Sequence, residues 1–156
     1  MLTVSEEDTL TSVTRKRRIQ MNILVIDAQG GGLGRQLITE IKSAIPSARI
    51  TAVGTNSAAT AAMLKAGADA AATGENAVKV GARKADVIVG PVGIVIADSL
   101  YGEITPDMAV AVGASDAKRV LIPVNHCDNI VAGVPDLSVG KLIASAVNEI
   151  KNIGEN

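Results

Sequence analysis

The sequence predicts a single α/β domain of the Rossmann-like kind, with a mostly parallel sheet covered by helices on both faces. Three observations predict it. From Asn22 onward, short apolar runs rich in Val and Ile alternate with segments of helical period, which is the pattern of βαβ units. A glycine cluster, Gly30-Gly31-Gly32-Leu33-Gly34, stands directly between the first apolar run and the first helical segment. The chain has 156 residues and a mass of 15.9 kDa, the length of one ordinary domain and too short for a dinucleotide domain plus a separate substrate domain.

Residues 1–20 are polar, carry the run Arg15-Lys16-Arg17-Arg18, and read as a loose, solvated extension preceding a domain over residues 21–154. Asn22 to Asp27 is the first strand. Leu33, Leu37, Ile38, Ile41 and Ile45 then recur at helical spacing on one face, and Pro46 stops that helix. Arg49 to Gly54 makes a second strand. Asn56 caps an alanine-rich helix running to Lys65, with Gly67 as its C-terminal stop. A weak third strand spans Ala70 to Ala72, a short helix Asn76 to Ala85, and a fourth strand Asp86 to Gly90; the apolar segment through Leu100 has no clear type. Thr105-Pro106-Asp107 is a helix start, combining a side-chain cap, a proline whose missing N–H costs nothing there, and an acid favoured by the helix dipole. The fifth strand is Val120 to Asn125. The last helix, about Ser138 to Ile150, carries Leu142, Ile143, Ala146, Val147 and Ile150 on one stripe.

Composition excludes several functions. Fifteen Lys and Arg balance sixteen Asp and Glu for a net charge of -1, so no overall field attracts nucleic acid or an acidic membrane surface. One Tyr, no Phe and no Trp leave no stacking platform for single-stranded nucleic acid, and any bound base must lie between aliphatic side chains. A single cysteine, Cys127, excludes an internal disulfide and a cysteine zinc cluster, and with one histidine, His126, no metal is expected. The longest apolar stretch, Val87 to Ala97, is broken by Gly90, Pro91 and Gly93 and falls short of the roughly 18 residues that a membrane span needs. A cytoplasmic protein is the expectation.

The feature that carries most chemistry is Asp27-Ala28-Gln29-Gly30-Gly31-Gly32-Leu33-Gly34-Arg35. Between a strand and a helix, glycines let backbone N–H groups approach an anion, and the helix N-terminus adds partial positive charge. Gln29, Gly30, Gly31, Gly32 and Gly34 are therefore the expected phosphate-binding residues, with a purely structural turn as the alternative. No single fingerprint fits. Reading G-x-G-x-x-G from Gly32 and Gly34 puts Leu37 at the third small position, and a P-loop would need Gly, Gly, Lys and Ser or Thr where Gln29, Gly34, Arg35 and Gln36 stand. Tyr101 lacks a lysine four residues on, which disfavours the short-chain dehydrogenases.

The second strand ends in Gly54-Thr55-Asn56-Ser57, without the Asp or Glu that NAD domains place on the adenosine ribose. Thr55 and Asn56 are the expected contacts to a ribose or a 2′-phosphate, leaving NADP or another nucleotide as the cofactor; Asn56 as a plain helix cap is the alternative. In a parallel sheet the ligand crevice lies outside the C-terminal strand ends, so Gly90 and Pro91 join the binding set, and Glu75, His126 and Cys127 are brought near it. Glu75 is a candidate acid or base, His126 a proton shuttle and Cys127 a nucleophile, with Asp98, Ser99 and Glu103 following the fourth strand. For each, loop capping or packing is the competing role.

Val25-Ile26-Asp27 with Gln29-Gly30-Gly31-Gly32, Gly54-Thr55-Asn56, Met63-Leu64-Lys65-Ala66-Gly67-Ala68, Thr73-Gly74-Glu75-Asn76, Gly102-Glu103-Ile104-Thr105-Pro106 and Ile122-Pro123-Val124-Asn125 together resemble an uncharacterised bacterial family, domain of unknown function 3842. The resemblance covers nearly everything from Met21 onward. It implies a Rossmann-like fold and no established activity. Two functions stand against each other: a nucleotide- or dinucleotide-binding module, and a small oxidoreductase or group-transfer enzyme whose pocket is completed by a homo-oligomer. A structural partner protein is a third.

Overall fold

The computed structural model describes residues 20–124 and 129–156. Five parallel strands form one sheet in the order β3-β2-β1-β4-β5. They are β1 (Asn22–Asp27), β2 (Arg49–Gly54), β3 (Ala70–Thr73), β4 (Val87–Pro91) and β5 (Lys118–Ile122). Five α-helices follow them in turn: α1 (Gly32–Ala44), α2 (Ser57–Lys65), α3 (Glu75–Lys84), α4 (Pro106–Gly113) and α5 (Val139–Glu155). The α/β class, the parallel sheet and the cover on both faces are as the sequence predicts.

β1 takes the centre because its side chains alternate between two apolar environments. Ile23 and Val25 pack with Leu37 and Ile41 of α1, Met63 of α2, and Ile143 and Ile150 of α5. Leu24 and Ile26 point the other way, onto Val78 of α3, Met108 and Val112 of α4, and Leu100 and Ile104 of the β4–α4 connection. With both faces covered, the inner strands can be continuous runs of Val, Ile and Ala. Side chains buried as fully as these each add about 1.5–3 kcal/mol by removing apolar area from water.

The chain winds outward from β1 to β3, then returns to add β4 on the opposite side of β1. That reversal opens a crevice at the carboxyl ends of β1 and β4, where α1 begins. Asn56, Thr105 and Ser138 cap α2, α4 and α5 through their side chains, on the N–H groups of Ala59, Met108 and Lys141. Helices α1 and α3 instead start from Gly31 and Gly74, which have φ of 72° and 98° and offer no side-chain cap.

The structure shifts several element boundaries. The segment of unclear type after β4 is a 3-10 turn, Val92–Val95, followed by a tight irregular loop. β5 begins at Lys118, two residues before the expected start, because its first side chains are exposed at the edge of the sheet and carry charge. It also ends earlier than expected, at Ile122: Pro123, which has no N–H to give a neighbouring strand, and Val124 are not strand, and Asn125 lies outside the described residues. α5 continues past Ile150 to Glu155, since Ile153 adds a further contact to the core. The expected extension over residues 1–20 lies outside the described residues except for Gln20. Among the described residues, no helix is long and apolar enough to cross a membrane.

Candidate functional site

α1 has an acid beneath its first turn. Asp27, the last residue of β1, is 6 % exposed, and its carboxylate accepts N–H bonds from Ala28 at Oδ1 (2.8 Å) and from Gly34 at Oδ2 (2.7 Å). It supplies from below the cap that Gly31 cannot. Burial pushes the Asp27 carboxyl above its usual value, the Gly34 and Ala28 N–H bonds oppose that, the Glu103 charge adds to it, and the Leu33 N–H opposes it; the net shift is upward.

The glycines above Asp27 divide into two kinds. Gly31 is buried with φ of 72°, and a Cβ there would stand 2.8 Å from the Ala59 Cα and backbone oxygen. A Cβ on buried Gly34 would stand 2.5 Å from the Met63 Sδ and 3.0 Å from the Asp27 Cβ. Those two glycines let α1 and α2 approach one another. Gly30 and Gly32 are exposed, lie outside the left-handed region, and have open space where a Cβ would be. Among the described residues, their N–H groups meet no hydrogen-bonding partner, whereas Ala28, Gln29, Gly31, Gly34 and Arg35 all donate within the fold. Packing therefore accounts for Gly31 and Gly34 but not for Gly30 and Gly32, two exposed residues at a helix N-terminus.

On the β2 side of this loop stands Glu103, from the β4–α4 connection. Its Oε2 accepts the Gln29 N–H (2.9 Å), and its Oε1 accepts from the Asn56 Nδ2 (2.6 Å) and the Thr55 Oγ1 (3.1 Å). Asn56 is fully committed: its Oδ1 caps the Ala59 N–H (2.9 Å) and its Nδ2 also reaches the Gln29 carbonyl (2.9 Å). The helix-cap role of Asn56 is thus realised, and its amide offers a ligand no spare donor. Thr55 Oγ1 gives its proton to Glu103.

The loop that carries Glu103 is held in an uncommon backbone. Asp98, Leu100, Tyr101 and Gly102 have φ of 62°, 54°, 57° and 81°. Three of these are non-glycine, each at a cost of about 1–3 kcal/mol that surrounding structure must offset. Leu100 and Ile104 are buried as anchors, the Asp98 N–H donates to the Ile104 carbonyl (2.8 Å), and buried Ser99 donates its hydroxyl to the Gly93 carbonyl. Tyr101, the only aromatic residue, is 95 % exposed at the tip.

On the β5 side the start of α1 borders a cleft of about 680 Å³. Gly32, Leu33 and Gln36 of α1 form one wall, Pro123 and Val124 after β5 the floor, and the segment from Ile130 to Leu137 the other wall. Its rim is aliphatic and open: Ile130 is 94 % exposed, with Val131, Val134 and Leu137 also exposed.

Of the remaining sequence-predicted residues, Glu75 opens α3 and accepts the Thr105 hydroxyl at its Oε1 (3.0 Å), which ties the end of β3 to the loop bearing Glu103. Asp98 is exposed and serves the loop through its backbone. Gly90 and Pro91 are buried in β4, and the space of a Gly90 Cβ is taken by the Ile26 carbonyl oxygen, so packing explains that glycine. His126 and Cys127 lie outside the described residues. Among the described residues, no group of three or more His, Cys, Asp or Glu is placed to hold a metal ion. Sequence reasoning passed over Asp27 as a cap, Glu103 as the acid of the β2 end, and the wall from Ile130 to Leu137. The last had a signal: an apolar run, Ile130-Val131-Ala132-Gly133-Val134, that no strand or helix claimed.

A family model described as Domain of unknown function (DUF3842) matches residues 22–155. No curated protein and no solved structure matches the chain.

Proposed function

The chain belongs to the DUF3842 family, a domain of unknown function, and from the geometry of its own site we propose that it binds a nucleotide or dinucleotide through a phosphate resting on Gly30 and Gly32. One observation carries this reading: the two glycines that packing does not require are exposed at the start of α1, and their N–H groups meet no partner among the described residues. A phosphate there gains two backbone donors, the favourable end of the helix dipole, and the exposed Arg35 in the first turn. The cleft beside Gly32 offers aliphatic walls, Leu33 and Val124 among them, between which a planar ring fits without aromatic stacking. A thermal-shift series with ADP, NAD, NADP and inorganic pyrophosphate tests the proposal. A ligand at 100 times its dissociation constant adds about 2.7 kcal/mol, which raises the melting midpoint by about 5–10 °C. No shift with any of the four would overturn it.

The exposed apolar rim favours a second reading, in which another copy of the chain covers Ile130 and Val134 and completes the pocket of a small oxidoreductase or group-transfer enzyme. Light scattering decides it: a monomer at tens of micromolar protein removes this reading and leaves the first intact.

A further inference from the structure

β2 ends in Gly54-Thr55-Asn56, with no acid, yet a carboxylate occupies that place. It arrives from 47 and 48 residues away, as Glu103 on Asn56 and Thr55. We infer that Glu103 is the specificity-determining residue for the ribose of the bound nucleotide, accepting a hydrogen bond from a free 2′-hydroxyl and rejecting a 2′-phosphate. The inference rests on the phosphate reading of Gly30 and Gly32.

Position comes first. Glu103 touches both the residue that enters the glycine loop, through the Gln29 N–H, and the first residues after β2, so it lies between the loop and the β2 end. That is where the adenosine ribose lies when a phosphate sits at the first βα turn of a parallel sheet. Glu103 also has a hydrogen-bond acceptor to spare. A carboxylate offers about four acceptor positions; Oε1 uses both of its own on Asn56 and Thr55, and Oε2 uses one on Gln29. One acceptor remains, on Oε2, the oxygen that faces the glycine loop, and Glu103 is only half-buried.

Charge comes third. Among the described residues the ion pairs are Lys42 with Asp69 and Lys79 with Asp107, and no cation pairs with Glu103. The Glu103 charge is felt at Asp27, a second acid near this end of the site. A 2′-phosphate at this end of the site would face unneutralised negative charge, where 2′-phosphate sites place an arginine. Rigidity comes last: buried Leu100 and Ile104 pin the backbone on either side of Glu103, and three hydrogen bonds hold its carboxylate.

The test is a titration of the parent and of Glu103→Gln with ADP, NAD and NADP, with folding checked by circular dichroism. The parent is expected to bind NAD at least about tenfold more tightly than NADP, because like charge and an unpaired polar group both count against the wrong ligand. Glu103→Gln loses the charge, so that ratio falls to within about threefold. A brace-only Glu103 would lower both affinities together and keep their ratio, which overturns the inference. The parent supplies an arm that needs no variant: 2′-deoxy-ADP is expected to bind about tenfold more weakly than ADP, since the Oε2 acceptor is then left without its donor. Equal affinity for those two, or a parent that prefers NADP, overturns the ribose assignment while ADP binding upholds the phosphate site. A parent that binds none of the nucleotides overturns both.

Discussion

Replacing Gly31 by Ala tests whether the glycine loop divides as its geometry says. At φ of 72° an alanine pays about 1–2 kcal/mol for the left-handed backbone. Its Cβ would also press on the Ala59 Cα and backbone oxygen at 2.8 Å, and a backbone inside a packed helix cannot turn away as a side-chain tip can. Overpacking of that sort costs about 1–3 kcal/mol. The two effects act together, so Gly31→Ala is expected to lose about 2–5 kcal/mol, lowering the melting midpoint by about 5–15 °C. Gly32→Ala is the internal control. It sits one residue on, in helical backbone with open space around its Cβ, and should match the parent or gain up to about 1 kcal/mol from better helix propensity. Thermal and urea unfolding followed by circular dichroism measure both. A Gly31→Ala protein that melts within two degrees of the parent, about 1 kcal/mol or less, would refute the packing role and return all the loop glycines to one class.

Two further predictions concern the acids around the loop. Because Asp27 titrates above its ordinary 3.8, the folded state holds its proton more tightly than the unfolded one, so the parent should lose stability as pH rises upward from 3.8 through the folded value. Asp27→Asn should remove that fall, and a parent-minus-variant difference that stays flat or grows with pH across the span contradicts the assignment. Asp69, held below 3.8 chiefly by its bond to Lys42, acts on the other side, with stabilisation lost as pH drops beneath 3.8, so the two windows do not overlap. Asn56→Ala removes the α2 cap and a charged hydrogen bond at once and should cost about 2–4 kcal/mol. Asn56→Asp keeps the cap acceptor but sets a second carboxylate against Glu103, so it should be destabilised at neutral pH and recover in acid; equal stability at both would show that Glu103 does not engage Asn56.

The legible part of this protein was the part written locally. Val and Ile runs set the strands, Leu37, Ile38 and Ile41 set the buried face of α1, and Thr105-Pro106 marked the start of α4, each through a spacing or a cap within a few residues. The strand-to-helix glycine cluster located the site for the same reason. Its internal division was not legible, because Gly31 and Gly34 owe their identity to Ala59 and Met63, which reach α1 only through the packing of α2. Glu103 was visible as a residue and not as a site acid, since its partners Gln29 and Asn56 stand 74 and 47 positions away. The loop before it hid its shape as well: Asp98, Leu100 and Tyr101 take left-handed backbone that only Gly102 advertises. The cleft wall from Ile130 to Leu137 follows neither a period of two nor of 3.6, and it becomes a wall only by lying opposite Leu33 and Gln36.

The proposed phosphate site depends most directly on Gly32. A calorimetric titration of the parent and of Gly32→Val with the nucleotide giving the largest thermal shift separates binding from folding, because a Cβ at position 32 meets open space in the fold while a branched side chain there obstructs an approaching phosphate. The expected result is an unchanged melting midpoint with affinity reduced at least tenfold, about 1.4 kcal/mol. A folded Gly32→Val protein that binds the nucleotide as tightly as the parent would contradict the phosphate site.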